Sequence, residues 1–96
     1  MIILWLASAE SDLDALTDYI TEDSPQNALQ VFTTLRNAVE KIASYPEAGR
    51  AGRINKTREL VIPHLPCIIV YKITKEIQIL AIVHTSRKWP TTFEIL

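Results

Sequence analysis

The hydrophobic pattern of this chain changes its period near the middle, and that change limits the folds open to it. Between Ala9 and Ile42 the apolar residues recur every three to four positions, which is typical of amphipathic helices. From Arg58 to His84, short apolar runs separated by turn residues are typical of β-strands. A short apolar run at the start, Ile2–Leu6, is interpreted as a further, buried strand. The chain should therefore combine two helices with a sheet.

Two helices with a short break between them are predicted in the first half. Ser8 can cap the first helix, which should end near Glu22. Ser24 followed by Pro25 starts the second helix, because serine is a preferred N-cap and proline fits the first helical turn. Pro46 ends it, since the residue before a proline avoids the helical conformation. The short connection predicts an antiparallel helical hairpin.

Three strands are predicted in the second half, namely Arg58–Ile62, Cys67–Ile73 and Glu76–His84. The last is apolar on both faces at its middle, so it should be central in the sheet and covered by helices on at least one side. The order βααβββ predicts an α+β fold in which an antiparallel sheet carries the N-terminal α-hairpin on one face. The length of 96 residues, without repeats or a linker, predicts one domain over residues 1–96.

Charge is distributed unevenly along the chain. The first 35 residues contain six acidic residues and no Lys or Arg, whereas all ten basic residues lie from Arg36 onward, together with five acidic ones. Such asymmetry favours two faces with different partners. An acidic helix beside a mildly basic sheet, with no partner at all, is the alternative interpretation.

Composition disfavours several classes of protein. The single cysteine, Cys67, allows no intramolecular disulfide, fits a reducing cytoplasm and, in its apolar run, is interpreted as a core residue. No apolar run approaches the ~20 residues of a membrane span, and Met1–Leu6 lacks the basic flank of a signal peptide. No His/Cys spacing predicts a metal site, and no glycine-rich phosphate loop predicts a nucleotide. We expect a cytoplasmic protein without metal or cofactor.

Two basic clusters are the candidate sites. The first lies in residues 46–57, a non-periodic stretch that holds both glycines of the chain, and a loop of this length is uncommon unless it is functional or disordered. The second follows the last strand. Cations for phosphates, a ring for a base and a histidine for proton transfer suit the recognition of RNA or DNA. The candidates of the first cluster are Arg50, Arg53, Lys56 and Arg58, and those of the second are His84, Arg87, Lys88 and Trp89.

Purely structural roles stay open for several of these and neighbouring residues. His84 can equally be a strand-end histidine that is hydrogen-bonded for structure, and Trp89 is interpreted as a lid over the core. His64, between two prolines, is interpreted as a turn residue. Tyr71 lies in an apolar strand and is predicted to be a core residue rather than a catalytic one.

Three motifs in the second half are the most specific features of the sequence when taken together: Thr57-Arg58-Glu59-Leu60, Ile69-Val70-Tyr71 and His84-x-x-Arg87-x-Trp89-Pro90. With weaker motifs before them, their order over about residues 2–90 resembles the RelE/ParE superfamily of bacterial type II toxins. The resemblance implies a toxin that inhibits growth until a cognate antitoxin wraps around it. It also implies the βααβββ order deduced from the hydrophobic pattern.

The superfamily divides by target. RelE-like members cut mRNA on the ribosome with cationic side chains of the sheet, whereas ParE-like members poison DNA gyrase and are not nucleases. Glu59, Val61 and Ile68 stand where the RelE-like branch carries cations, so the resemblance slightly favours a gyrase poison. An mRNA interferase is the alternative, and a non-toxic binding module or decayed family member is the second. The catalytic candidates of the interferase alternative are Arg58, His84, Arg87 and Lys88.

Overall fold

The computed structural model describes residues 1–62, 65 and 67–84, and the elements within them follow the expected order. The predicted α+β class is confirmed, and a short strand is added inside the stretch 46–57. The elements are β1 (Ile3–Trp5), α1 (Ala7–Asp23), α2 (Pro25–Ser44), a 3-10 turn (Pro46–Ala48), β2 (Arg50–Ala51), β3 (Arg58–Val61), β4 (Cys67–Ile73) and β5 (Ile77–His84).

The five strands form one sheet in the order β1-β5-β4-β3-β2. All neighbouring pairs are antiparallel except the first, in which β1 runs parallel to β5 with Ile3 opposite Ile77. The sheet is therefore mixed, and the expectation of an antiparallel sheet holds for four of its five strands. A parallel pair needs a long crossover between its strands. The helices and the other three strands, all placed between β1 and β5 in the chain, supply that length.

β1 lies at an edge of the sheet, so the prediction that Ile2–Leu6 is a buried strand is wrong for most of its length. Ile2 and Leu4 are exposed, Ile3 and Trp5 are half-buried, and Leu6 alone is buried. An apolar run indicates that a strand has a face to bury. It does not indicate whether the strand has a neighbour on both sides, because that depends on pairing with distant residues.

The hydrophobic core lies on both faces of the sheet, and β5 is central as predicted, between β1 and β4. On one face the buried stripe of α2 packs against the sheet. That stripe consists of Leu35, Val39 and Ile42, and its partners in the sheet include Ile69, Tyr71, Ile77, Ile79 and Ile82. The other face carries a second buried cluster, which consists of Leu6, Ile68, Val70, Leu80, Ala81 and Val83.

A β-bulge at Leu80 interrupts the alternation of side chains between the two buried faces of β5. Ile79 and Ala81 lie opposite consecutive residues of β4, which leaves Leu80 without an opposite residue. An extra residue reverses the alternation of side chains beyond it. Leu80 and Ala81 accordingly fall in the same cluster, and Ile82 returns to the cluster beneath the helices.

The start of α1 differs from the prediction, because Ser8 is not its N-cap but lies inside its first turn. The Ser8 hydroxyl donates to the Leu80 carbonyl at 2.7 Å, and the Asp12 carboxylate accepts from the Ile82 N–H at 3.0 Å. Both contacts lie where β5 continues beyond the three-residue β1. Side chains of α1 thus partner backbone groups of β5 that the edge strand does not reach.

The junction between the helices agrees with the prediction. Ser24 is the single residue between α1 and α2, and its side chain accepts a hydrogen bond from the Asn27 N–H at 3.3 Å. Pro25 occupies the first turn of α2, where its missing N–H costs no hydrogen bond. None of the helices in the described part of the chain is long and apolar enough to cross a membrane.

Candidate functional site

The first predicted basic cluster lies at the β2 edge of the sheet, in the segment Pro46–Arg58, here called the arginine loop. The loop leaves α2 through the 3-10 turn, forms β2 against β3, and turns back into β3. Lys56 adopts the left-handed conformation in that turn, with φ of 65°, and its side chain is exposed. The loop is therefore an ordered connection that belongs to the sheet, although no hydrophobic period marks it in the sequence.

A buried carboxylate, that of Glu59, holds two of the predicted arginines. Glu59 is only 3% exposed and lies opposite Arg50 in the β2–β3 pair. Its Oε1 is 3.3 Å from Arg50 Nη2, and its Oε2 is 3.4 Å from Arg53 Nε. Oε2 also accepts a hydrogen bond from the Arg53 backbone N–H at 2.8 Å. The sequence identified Glu59 as an acid in place of a cation, but not as the partner of these arginines.

The surroundings of Glu59 keep its carboxylate charged. Burial raises the pKa of Glu59, but the hydrogen bond from the Arg53 N–H and the guanidiniums of Arg50 and Arg53 outweigh it, so the pKa lies below its usual value. A carboxylate accepting such bonds is stabilised in its ionised form. At neutral pH the site therefore contains one buried negative charge between two arginines.

The start of the arginine loop is fastened to β4 by Tyr71, which is fully buried. The Tyr71 hydroxyl accepts a hydrogen bond from the Gly49 N–H at 2.8 Å and donates one to the Pro46 carbonyl at 2.6 Å. Burial raises the pKa of Tyr71, so the phenol stays protonated near neutral pH. The observed place of Tyr71 agrees with the predicted core role.

The two glycines of the loop are required by close contacts. A Cβ added to Gly49 would lie 2.7 Å from the Tyr71 hydroxyl oxygen, and one added to Gly52 would collide with the hydroxyl of Thr57. Neither glycine has a positive φ. The presence of both glycines in this stretch therefore reports tight packing, against Tyr71 at Gly49 and within the loop itself at Gly52.

The four predicted cations of the loop are held to different degrees. The side chains of Arg50 and Arg53 remain 59% and 51% exposed although each contacts Glu59. Arg58 is half-buried, and its Nη1 donates to the Gly49 carbonyl at 2.7 Å. The three arginines are thus anchored at one side and open to solvent at the other, which suits the binding of an anionic partner.

The structure does not bring together the two described catalytic candidates, Arg58 and His84. Arg58 lies opposite Tyr71 and His84 lies opposite Cys67, and these two β4 residues are four positions apart in the strand. That separation is about 13 Å along the strand at the usual rise per residue. Arg58 and His84 also belong to different strands, β3 and β5, with β4 between them, so the sheet holds the two residues apart.

The second predicted cluster is only partly described. His84 ends β5 and is half-buried. Arg87, Lys88 and Trp89 lie outside the described residues, as does His64. Cys67 is buried in the core as predicted, and burial raises the pKa of its thiol. No three His, Cys, Asp or Glu side chains of the described residues converge on a position for a metal ion.

A groove of about 530 Å³ between α1, α2 and β1, here called the hairpin groove, was missed in the sequence. Its rim carries three carboxylates and one guanidinium, those of Glu10, Asp14, Glu40 and Arg36, and Arg36 and Glu40 are 3.7 Å apart. Its walls are apolar and consist of Ile3, Trp5, Leu13, Phe32, Leu35 and Val39. The groove joins residues from three elements, so no local pattern in the sequence marks it.

Two known sequences that resemble this chain over most of its length belong to toxins. The chain is 41% identical over 88 residues to the putative toxin Y4kP of Sinorhizobium fredii, with 92% of each chain covered. It is 33% identical over 86 residues to the toxin RelE2 of Caulobacter vibrioides, with 88% of this chain and 96% of the relative covered.

Comparison with solved structures gives the same result. The chain is similar to a chain of the chromosomal ParDE toxin–antitoxin system from P. aeruginosa, with a TM-score of 0.77 and 30% identity. The match covers 88% of this chain and 95% of that one. Residues 3–89 match the family model of the ParE toxin of the parDE type II toxin–antitoxin system. The chain therefore belongs to the ParE toxin family and is the toxin of a type II toxin–antitoxin pair.

Proposed function

We propose that this toxin acts on DNA gyrase in the cytoplasm, without cleaving RNA, and that its cognate antitoxin holds it inactive. The observation that carries the choice of gyrase over mRNA is the separation of Arg58 on β3 from His84 on β5, whose partners on β4 are four residues apart. Family membership supplies the antitoxin as a partner. Gyrase as the target goes beyond what family membership supplies.

RNA cleavage requires a base, an acid and cations around one phosphate, all within hydrogen-bonding reach. On β3 the Glu59 carboxylate is committed to Arg50 and Arg53, and the neighbouring Val61 offers no charge. On β4, Ile68 is a buried apolar residue. The described part of the sheet thus favours a protein that acts by binding its target.

A ribosome-dependent mRNA interferase is the second candidate, because His84 is half-buried at the end of β5 and precedes Arg87 and Lys88 in the chain. These three residues would have to supply the proton transfer and the cations by themselves. If they do, replacing His84 and Arg87 together by alanine should abolish cleavage, since loss of a general acid or base typically costs 10²–10⁴-fold in rate.

The deciding experiment expresses the chain alone and with its cognate antitoxin. We expect growth arrest without the antitoxin, recovery with it, gyrase-trapped double-strand breaks in the DNA and induction of the DNA-damage response. Purified gyrase should likewise accumulate cleaved plasmid when the toxin is added. Codon-phased cuts in mRNA without DNA damage would establish the interferase instead. Normal growth at a verified level of folded protein would contradict both targets and favour a non-toxic binding module.

We further propose that the antitoxin covers the basic side of the toxin, because doing so would also block the target. A disordered segment that folds on its partner gains affinity from apolar burial and charge pairing. The proposed contacts are Arg50, Arg53, Lys56 and Arg58, together with Arg87, Lys88 and Trp89.

A further inference from the structure

We infer that Glu59 is a positioning residue, which fixes Arg50 and Arg53 so that their outer sides bind a carboxylate-bearing segment of the antitoxin. The inference rests on the proposed placement of the antitoxin on the basic side. It adds to that placement the residue that shapes the surface, and it commits the partner to an acidic peptide.

The first step is that stability alone does not account for an acid at this position. Glu59 is 3% exposed, and removing a carboxylate from water is costly unless charges and hydrogen bonds compensate. Both guanidiniums that compensate it are more than half exposed, and ion pairs screened by water contribute little to stability. Position 59 nevertheless carries a charged group that contacts three donors of the arginine loop: Arg50 Nη2, Arg53 Nε and the Arg53 backbone N–H.

The second step concerns what those contacts do to the arginines. A free arginine side chain loses conformational entropy when a partner immobilises it. Glu59 restricts Arg50 and Arg53 before any partner arrives, and more than half of each side chain still faces solvent. Preorganisation of this kind lowers the entropic cost of binding. The planar guanidinium suits it, because its fork of donors can contact an inner and an outer carboxylate together.

The charge of the arginine loop indicates the chemistry of its partner. The two arginines and Glu59 leave one net positive charge, and Lys56 and Arg58 lie in the same loop. A surface of this size matches a few carboxylates of a peptide. Nucleic-acid-binding domains, in contrast, are usually strongly basic, whereas this chain has a net charge of −1. An acidic peptide is therefore the better match.

The test measures dissociation of the purified full-length toxin from its cognate antitoxin, with stability followed in parallel by urea denaturation. Glu59→Gln keeps the shape and removes the charge, and Arg50→Lys keeps the charge and removes the fork. We expect each to speed dissociation at least tenfold at matched folded fraction. Glu40→Gln, which breaks the exposed Arg36–Glu40 pair, is the matched control and should leave the rate unchanged.

A double-mutant cycle distinguishes positioning from a merely structural role. If Glu59 acts through Arg50, the Glu59→Gln and Arg50→Lys effects on dissociation should be markedly less than additive. Reduced stability of Glu59→Gln with an unchanged dissociation rate would overturn the inference, as would full additivity.

Further variants separate this inference from the placement on which it rests. If Arg50→Ala and Arg53→Ala both leave antitoxin affinity unchanged, the antitoxin binds elsewhere and the placement itself is wrong. If both weaken binding while Glu59→Gln does not, the placement stands and the positioning role is wrong. If Arg50→Ala and Arg53→Ala weaken binding to a 20-base-pair DNA duplex more than binding to the antitoxin, the acidic peptide is wrong as the partner.

Discussion

The arginine loop and the hairpin groove are two surfaces built in opposite ways. The loop is held by buried polar groups, because the side chains of Glu59 and Tyr71 each bind its backbone. The groove is an apolar opening between α1, α2 and an edge strand, with charges only on its rim. A surface held by buried hydrogen bonds has a fixed geometry and is sensitive to small changes, whereas an open apolar surface supplies contact area and tolerates them. Four substitutions or titrations test that contrast.

The largest effect should follow from removing Tyr71, which holds the loop by two hydrogen bonds. Tyr71→Ala deletes a fully buried ring and the partner of two backbone groups, and we expect a loss of about 3–5 kcal/mol in the free energy of unfolding. Tyr45→Ala is the control, because Tyr45 is 70% exposed at the end of α2. Urea denaturation of both variants measures the difference. Equal losses would remove the basis for the contrast.

A smaller effect should follow from crowding the contact between the loop and Tyr71. Gly49→Ala places a methyl group 2.7 Å from the Tyr71 hydroxyl oxygen and 3.0 Å from the Glu59 carbonyl oxygen, so the loop must move. Overpacking of this kind costs about 1–3 kcal/mol. Ala51→Gly, a change of the same size at an exposed site of β2, provides the comparison. A stability equal to that of the original protein would mean that the loop shifts freely.

Acid should lower the stability of the protein by protonating Glu59, whose carboxylate holds the loop. The pKa of Glu59 is lower in the folded chain than its unperturbed value of 4.5, so its carboxylate contributes stability above that pH. The contribution is lost as the pH falls through the folded pKa. We therefore expect the original protein and Glu59→Gln to differ in unfolding free energy at pH 6–7 and to converge below pH 4.5. Denaturation curves at several pH values measure this, and parallel profiles would contradict it.

The smallest effect is expected on the α-hairpin beside the groove. Leu29 is 70% exposed on α2, so Leu29→Ser removes little buried area and should change stability by less than about 0.5 kcal/mol. Ile42→Ser, at a buried position of the same helix outside the groove, is the contrasting variant and should be strongly destabilising. A large loss at Leu29 would show that the surface of the hairpin is as constrained as the arginine loop.

Local chemistry was enough to predict the two helices and four of the five strands, but not β2, the 3-10 turn or how the strands pair. Ser24 caps α2 as its sequence indicates, and Cys67–Ile73 is the strand that its apolar run predicts. The parallel pairing of β1 and the bulge at Leu80 depend on residues far apart in the chain. For the same reason the sequence identified Arg50 and Arg53 but not their partner Glu59. Only the register of β2 on β3 places that carboxylate between them.

The pairing of β1 with β5 has a consequence for synthesis on the ribosome. Ile3–Trp5 is the first of the five strands to be made, and its partner Ile77–Ile79 lies in the last of them. At about 5–20 residues per second, the first strand waits about 4–15 s for that partner to be translated. A nascent chain that stops before β5 therefore lacks the neighbour of its edge strand β1 and one of the two neighbours of β4. Premature termination should consequently yield fragments that cannot complete this sheet.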